Sequence, residues 1–207
     1  MEIVKPSVHY LWSTQMMLQR IELAARTCYK SEENITDDSA VNFVKMLVKR
    51  GHEAMLEHGS MTYRVICDRA IANEIVRHRL FSFAQESTRY VNYNKRHMQF
   101  IMPCFLKPKT KVFKFWKRAI EASETAYNVM IAKGATPQEA RSVLPLSLKT
   151  EIIITGNLRQ WRNFLKVRCD GTSHPQMRDV AKKILEHAHS HVPVVFADIY
   201  EELKNEI

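Results

Sequence analysis

A period of two at residues 61–67 constrains the fold of this chain most strongly. Met61, Tyr63, Val65 and Cys67 fall on one face, and the other face carries Thr62, Arg64 and the apolar Ile66. A period of two is typical of a strand that buries one face. Asp68 follows directly and offers an N-cap oxygen to a helix over residues 69–77, where Ile71 and Ile75 are apolar. The sequence therefore predicts a half-buried strand that passes at once into a helix.

That helix leads into the densest group of chemically useful side chains in the sequence. Residues 77–89 hold three arginines, one histidine, three hydroxyl side chains and one glutamine. Arginine presents a planar fork of donors that matches phosphate and other oxyanions. Lysine is absent from residues 65–94, and Phe81, Phe83 and Tyr90 alternate with the arginines. This pattern indicates a partly buried site for an anionic ligand.

Periodicity and capping residues predict the other elements. We expect a helix over residues 10–30, a second from Asp38 to Gly51, a long helix from Phe113 to Ile131, a short helix starting at the Thr136–Glu139 capping box, a strand at 151–155, and helices starting at Asn157 and Ser173. Arg141 is expected in the first turns of the short helix, where the positive helix end and the guanidinium act together on an anion.

Three stretches are similar to the flavin-dependent thymidylate synthase family. The first is Arg77-His78-Arg79, seven residues and Ser87, with Ser82-Phe83 and Arg89-Tyr90 inside the same stretch. The second is Asn157, Arg159, Asn163-Phe164-Leu165 and Arg168, which resembles the flavin- and nucleotide-binding helix of that family. The third is Gly51-His52-Glu53 with Glu57-His58. The resemblance runs from His52 to Gln176, and the chain departs from the pattern at residues 171–179.

The resemblance implies an α+β fold with helices packed on an antiparallel sheet, assembled as a homotetramer that shares FAD sites between subunits. It also implies the reductive methylation of dUMP to dTMP, with methylenetetrahydrofolate as carbon donor and NADPH as reductant of the flavin. From the length of 207 residues we expect one domain over residues 1–207.

The family pattern also assigns site residues. Cofactor contacts fall on His52, Ala54, Arg77, His78, Arg79, Leu80, Asn157, Arg159 and Asn163. Substrate contacts fall on Glu74, Gln85, Glu86, Ser87, Thr88, Arg89, Arg141 and Arg168. Among these, Arg89 and Arg141 are expected on the nucleotide phosphate, and Glu74 on the base or ribose. Arg168 is the expected catalytic residue, polarising the N3 and O4 edge of uracil so that C5 becomes nucleophilic.

Several other chemistries are not indicated by the sequence. It has neither a GxGxxG turn nor a P-loop, so the flavin is not expected on a Rossmann or Walker turn. His52 and His58 lack a third ligand at suitable spacing, and His187 and His191 are expected at a solvated helix end favoured by the dipole, so no metal is expected. Cys104 has no histidine beside it, which predicts catalysis without a covalent enzyme nucleophile.

Two alternatives to this assignment remain. A net charge of +9 and a pI near 9.4 also fit a basic nucleic-acid-binding protein that stacks bases on Phe81 or Tyr90. We rank it below the enzyme and expect no nucleic-acid partner, because no nucleic-acid-binding signature occurs. A flavoenzyme of the same fold acting on dCMP is the closer alternative. The chain has neither a run of 18 apolar residues nor a signal-peptide layout, so we expect no membrane contact and a cytoplasmic protein.

Overall fold

The structure is a computed structural model that describes residues 1–203. Its α-helices are α1 (Met17–Thr27), α2 (Ser39–Lys49), α3 (Arg69–Ile75), α4 (Lys111–Ala132), α5 (Pro137–Ala140), α6 (Leu158–Arg168), α7 (Pro175–His191) and α8 (Pro193–Leu203). Its strands are β1 (Glu2–Val4), β2 (Ser7–Ser13), β3 (Ser60–Asp68), β4 (Ser82–Gln85), β5 (Gln99–Ile101) and β6 (Lys149–Asn157). Short 3₁₀ helices lie at Glu32–Asn34, Glu53–His58, Tyr93–Lys95 and Arg141–Val143.

The strands form two sheets. The larger has the order β2-β3-β6-β4. Its pairing is antiparallel, and with the helices it confirms the predicted α+β class. The smaller sheet pairs β1 with β5 in parallel, with Ile3 opposite Phe100. This second sheet has no counterpart in the sequence prediction, because three-residue strands are too short to show a period.

The described chain divides into two compact units. Unit 1 comprises residues 1–7, 65–77 and 84–152, and unit 2 comprises residues 8–64, 78–83 and the described residues from 153 onward. Strands β3, β4 and β6 each contribute residues to both units. One domain over residues 1–207 stays a prediction, and its last four positions lie outside the described residues.

Unit 1 has its core between α4 and the segment around residue 93. Ile120 and Tyr127 of α4 are buried there with Tyr93, and the rings of Tyr93 and Tyr127 meet edge to face at 5.9 Å. The Tyr127 hydroxyl also accepts the backbone N–H of Tyr93 at 3.3 Å. Phe100 and Leu148 complete the buried cluster. The apolar face predicted for the long helix is therefore a core face.

Unit 2 has an aromatic core. Trp161 is fully buried, donates its indole N–H to the Met61 carbonyl at 3.0 Å, and contacts Tyr63 and Phe81 at ring distances of 5.0 and 4.5 Å. Phe164, one turn along α6, contacts Trp161 at 5.7 Å. These rings fix α6 because aromatic side chains bury large areas with defined edge-to-face geometry.

The strand-to-helix prediction at residue 68 is confirmed. Met61, Tyr63, Val65 and Cys67 are all at most 1% exposed. The carboxylate of Asp68 accepts the Ile71 N–H at 2.8 Å, which caps α3. The second helix is also confirmed, and Gly51 takes the left-handed conformation, with φ of 71°, just past its end.

The first helix begins later than predicted. Residues 10–13 belong to β2, and α1 starts at Met17. The predicted helix is too long because it continues the helical spacing of residues after Met17 toward the N-terminus. Residues 10–13 instead belong to a strand in which the Tyr10 ring packs edge-on against Tyr63 at 5.9 Å. Helix α8 was not predicted at all, although Pro193 at its first position and the buried Val195 and Ile199, four apart, are signals for it.

Gly156 of β6 supports the aromatic core of unit 2 by having no side chain. A Cβ there would lie 2.2 Å from two ring carbons of Phe81. We therefore expect Gly156→Ala to force Phe81 out of place and to lower the free energy of unfolding by about 1–3 kcal/mol. Urea denaturation followed by circular dichroism measures this.

Gly171→Ala is the matched control for that substitution. A Cβ at Gly171 meets only the Arg178 Nη1 at 3.7 Å, which is ordinary van der Waals contact. Its urea midpoint should equal that of the parent protein. Equal midpoints for both variants would contradict the steric role of Gly156.

Candidate active site

In unit 1, helix α5 brings two of the predicted phosphate-binding arginines to one place. Arg141 donates from Nη1 to the Thr88 hydroxyl at 3.4 Å, and Arg89 donates from Nε to the Gln138 side-chain oxygen at 3.4 Å. Thr136 begins α5 through a capping box with Glu139. Both guanidiniums are exposed, and neither forms an ion pair with a carboxylate within residues 1–203. The arrangement offers two cationic forks to an anion.

Arg141 does not lie where the sequence placed it on the helix. It is the C-terminal cap of α5 and the first residue of the following 3₁₀ helix, because α5 ends at Ala140 after a single turn. The predicted cooperation between the helix end and the guanidinium stays a prediction, and the Arg141 guanidinium pairs with the Thr88 hydroxyl.

A turn at Ser87 presents the Thr88 and Arg89 side chains. The carbonyl of Ser87 accepts the N–H groups of Tyr90 and Val91 at 3.2 and 3.0 Å, and its hydroxyl accepts the Arg89 N–H at 3.3 Å. The Arg89 guanidinium lies over the Tyr90 ring at 5.4 Å. Such a cation–π contact restricts where the guanidinium can point.

The Glu86 side chain lies in a hydrogen-bonded network of unit 1. Its carboxylate accepts the Tyr93 hydroxyl at 2.9 Å and the Lys149 ammonium at 3.0 Å, and its carbonyl accepts Arg69 at 3.4 Å. Burial, followed by the neighbouring Glu86 carboxylate, raises the pKa of the Tyr93 hydroxyl. Both carboxylate oxygens thus have protein partners, so any contact of Glu86 with substrate stays a prediction.

The remaining predicted substrate residues of unit 1 lie on α3, on β4 and beside them. Gln85 donates its amide to the Thr150 hydroxyl at 3.3 Å. Glu74 is half-buried near the end of α3, and its carbonyl accepts the Arg77 N–H at 3.3 Å. Arg77, assigned to the cofactor, is an exposed arginine at the boundary of this unit.

In unit 2, one hydrogen bond joins the two strongest motifs of the sequence. Arg168, the last residue of α6, donates its Nε–H to the Nε2 of His78 at 2.8 Å. The His78 ring contacts Phe164 at 4.9 Å, so its plane is held by the aromatic core. An imidazole Nε2 accepts only when it carries no proton, which fixes His78 as the neutral Nδ1–H tautomer.

The environment of His78 favours that neutral form. Burial, followed by the Arg168 charge, lowers the pKa of His78 below its usual value of about 6.5. Because the folded-state pKa is lowered, the stability contributed by His78 is present above the unfolded pKa. It is lost as pH falls through the folded pKa, where protonation removes the acceptor.

We therefore expect the unfolding free energy to fall between pH 7.5 and pH 5.5 more steeply in the parent protein than in His78→Gln. Glutamine keeps a side-chain oxygen that can accept from Arg168 but has no titrating group. Urea titrations at the two pH values measure the difference. Parallel pH dependence in the two proteins would show that His78 is not a buried neutral acceptor.

The segment from His52 to His58, here called the 52–58 segment, is tied to α6. Arg159 binds the Glu57 carboxylate at 2.7 Å, and Arg162 binds Glu53 at 2.9 Å. His52 and Ala54 line one cavity of about 520 Å³ whose other walls are mostly apolar. The lining is completed by Ala25, Cys28, Tyr29, Ser31, Phe43, Met46, Leu47, Arg50 and Met55.

The other predicted cofactor residues of unit 2 are mostly exposed. Arg79, Leu80 and Asn163 face solvent, and Leu80 is 78% exposed. Asn157 has a structural task, because its side-chain oxygen caps α6 by accepting the Gln160 N–H at 2.8 Å. Its amide N–H groups and the second lone pair of its oxygen remain to meet a ligand.

The remaining reactive groups are the cysteine thiols and the side chains that can bind a metal ion. Cys67 and Cys169 are buried, whereas Cys28 and Cys104 are exposed, and all four are free thiols. Among residues 1–203, no cluster of three or more histidine, cysteine or acidic side chains can hold a metal ion. The helices of the same range are too short or too polar to cross a membrane.

The comparisons with known proteins extend over most of the chain. A family model described as thymidylate synthase complementing protein matches residues 11–194. The flavin-dependent thymidylate synthase of Pyrococcus furiosus is 30% identical over 182 residues, covering 84% of this chain and 75% of that protein. The one from Mycobacterium sp. (strain JLS) is 30% identical over 217 residues, covering 94% and 85%.

A solved structure supports the fold independently. The crystal structure of the UMP/dUMP methylase PolB from Streptomyces cacaoi, bound with 5-Br dUMP, superposes with a TM-score of 0.81. It is 24% identical and the match covers 98% of this chain and 97% of that one. The family matches include both motifs that the bond between Arg168 and His78 joins. The protein therefore belongs to the thymidylate synthase complementing protein family, the flavin-dependent thymidylate synthases.

Proposed function

We propose that this protein catalyses the reductive methylation of dUMP to dTMP. Methylenetetrahydrofolate donates the carbon and NADPH supplies the two electrons, with FAD as the cofactor that would carry them. The CH₂ group moves to C5 of uracil, the C5 proton leaves, and the added hydride completes the methyl group while tetrahydrofolate is released. The observation that carries the proposal is the 2.8 Å bond between Arg168 and His78, which joins the two motifs of the family.

Two exposed arginines of unit 1, Arg89 and Arg141, are proposed to bind the nucleotide. Arg89 and Arg141 are held by Gln138 and Thr88 and have no carboxylate partner within the described chain. Two guanidiniums can satisfy the several acceptor oxygens of a phosphate monoester. Gln85, Ser87 and Glu74 are proposed to contact the rest of the nucleotide.

Unit 2 fits a flavin by the chemistry of its residues. The cavity lined by His52 and Ala54 is mostly apolar and large enough for a planar ring system, and Arg79 and Arg159 offer exposed charge for a diphosphate. His52, Ala54, His78, Leu80, Asn157 and Asn163 of unit 2 are therefore proposed as cofactor contacts. Arg77 belongs to unit 1 and stays a predicted cofactor residue. When bound, FAD supplies hydride chemistry that no amino-acid side chain provides.

Arg168 is proposed as the catalytic residue because its direction is fixed. The Arg168 Nε–H donates to Nε2 of neutral His78. That bond fixes the direction of the guanidinium. A preorganised cation directed at the O4 edge of uracil stabilises the negative charge that develops as C5 becomes nucleophilic. His78 acts on this step as a positioning residue.

Two of the four thiols, Cys67 and Cys104, are poor candidates for a nucleophile. Burial raises the pKa of the Cys67 thiol to about 12, so that thiol is not ionised at neutral pH. Cys104 is exposed and has no imidazole beside it in sequence. Since the thiolate is the nucleophilic form, neither group is suited to attack the pyrimidine.

Product analysis tests the proposed reaction. Purified protein is incubated with FAD, NADPH, methylenetetrahydrofolate and dUMP, and nucleotides are separated by chromatography. We expect dTMP in amounts that depend on all four compounds. Parallel incubations with dCMP and UMP test the alternatives, and a methylated product from dCMP alone would replace dUMP as the substrate.

Assembly and location are proposals that follow the family. We propose a homotetramer with shared FAD sites, acting in the cytoplasm. Large exposed side chains such as Trp12, Tyr29, Leu80 and Tyr90 are surfaces that subunit contacts would bury. Light scattering after size-exclusion chromatography measures the mass, and a monomer at micromolar concentration would reject the tetramer.

A further inference from the structure

Arg162 is a buried charge that the family motifs do not explain. It lies on α6, is 2% exposed, and is among the largest fully enclosed side chains of the structure. Its Nε donates to Glu53 at 2.9 Å, and its Nη1 and Nη2 donate to the two carboxylate oxygens of Asp198 at 2.7 and 2.6 Å. Nη1 also donates to the Val195 carbonyl. The guanidinium thus connects three separate parts of unit 2.

The charge balance shows that this cluster is built to hold the guanidinium. Burial by itself lowers the pKa of Arg162, but the hydrogen bonds that Arg162 donates to Asp198 and Glu53 outweigh it and raise the pKa. Burial likewise raises the pKa of Asp198, and the bonds from Arg162 reverse that effect and lower it. A buried charge is tolerated in this way only when its partners are well placed.

The two partners of Arg162 have different surroundings. Asp198 lies on α8 and makes a bidentate contact, which fixes the plane of the guanidinium. Glu53 lies between His52 and Ala54, which are two of the residues that line the 520 Å³ cavity. The Nε of Arg162, the nitrogen that Asp198 does not bind, therefore points at the 52–58 segment, which forms part of the cavity wall.

Arg162 also lies between two predicted cofactor residues on its own helix. Arg159 and Asn163 are exposed on α6, whereas Arg162 faces inward. Arg159 makes a second contact with the same segment through Glu57, but with side chains about half exposed. Exposed pairs contribute little. The contact from buried Arg162 to Glu53, whose side chain is 27% exposed, is therefore better placed than the Arg159–Glu57 pair to hold the 52–58 segment on α6, and the exposed Lys166 adds a longer contact to Glu53 at 3.8 Å.

We propose that Arg162, anchored by Asp198, is a positioning residue that holds the 52–58 segment through Glu53 and so shapes the flavin site. This inference rests on the proposed function, because it assigns the cavity of His52 and Ala54 to the flavin. It predicts that loss of the contact weakens FAD binding without unfolding the protein.

The test compares Glu53→Ala with a matched control, Glu22→Ala. Glu22 is also a carboxylate of unit 2 in a low-exposure ion pair, with Arg26 at 2.8 Å, and it does not line the cavity. Two quantities are measured in both variants and the parent protein: amide hydrogen exchange of residues 53–58, and the Kd for FAD by flavin fluorescence. Thermal melts set a common temperature well below each transition.

In Glu53→Ala we expect exchange of residues 53–58 to become at least tenfold faster and the Kd for FAD to rise about tenfold. Glu22→Ala should change neither. Arg162→Lys, which keeps the charge but not the fork, should resemble Glu53→Ala if it folds. Exchange and Kd in Glu53→Ala equal to those of Glu22→Ala would overturn the inference.

The same measurements separate this inference from the proposed function. Parent protein that binds no FAD would reject the proposed function and the flavin part of the inference together. Parent protein that binds FAD, with an unchanged Kd in Glu53→Ala, would reject the inference alone.

Discussion

Arg168→Ala is expected to lower kcat for dTMP formation by about 10²–10³-fold, the usual loss when one preorganised charge-stabilising group is removed. The variant should retain bound flavin, because Arg168 is proposed to contact the uracil. The aromatic core of unit 2 is formed by other side chains, such as Trp161 and Phe164. Single-turnover kinetics with reduced flavin and saturating dUMP measure the chemical step, and the flavin absorbance of the purified variant measures retention.

Two comparisons make this result specific. Arg168→Lys keeps the positive charge but loses the planar fork, so it should recover only part of the rate. Arg118→Ala removes an exposed arginine of α4 in unit 1 and should leave kcat unchanged. Full activity in Arg168→Ala would remove Arg168 from the mechanism.

The second large effect is expected on nucleotide binding. Arg141→Ala and Arg89→Ala should each raise the KM for dUMP by about tenfold to a hundredfold, since a hydrogen bond to a charged group contributes about 1.5–3 kcal/mol. The effect should be concentrated on the phosphate. The binding preference for dUMP over deoxyuridine should therefore shrink in each variant.

Isothermal titration calorimetry with dUMP and with deoxyuridine measures that preference. Arg118→Ala again serves as the control for loss of one exposed positive charge. A variant that binds dUMP more weakly but keeps the full preference for dUMP over deoxyuridine would show that its arginine does not contact the phosphate.

Local signals in the sequence were enough to predict the elements that present the site. The alternation ending at Cys67 and the cap at Asp68 are confirmed by burial and by the bond to the Ile71 N–H. Asn157 likewise begins α6, as predicted from its position before the apolar Leu158 and Trp161. Period and capping are local properties, so a single sequence carries them.

Contacts between distant residues could not be predicted in this way. The bond between His78 and Arg168 joins residues 90 positions apart, and the network of Glu86 with Lys149 joins residues 63 apart. Glu86 was assigned to substrate from its motif position, yet its carboxylate faces Tyr93 and Lys149. No periodic pattern reports which way such a side chain turns.

Arg162 was missed for a different reason. Its position four residues after Leu158 and next to Trp161 places it in the apolar stripe of α6, which is the signal of a buried charge. The neighbouring Arg159 and Asn163 match the family motif and drew the assignment to the exposed face. A charged residue inside an apolar stripe predicts a buried partner even where the partner is unknown.

The most direct test of the central claim is the visible absorption spectrum of the purified protein under anaerobic conditions, recorded before and after NADPH and then dUMP. We predict an oxidised-flavin spectrum that bleaches with NADPH and changes again when dUMP binds. A protein that stays colourless after incubation with FAD would contradict the account, because a flavin-dependent thymidylate synthase must hold the flavin to act.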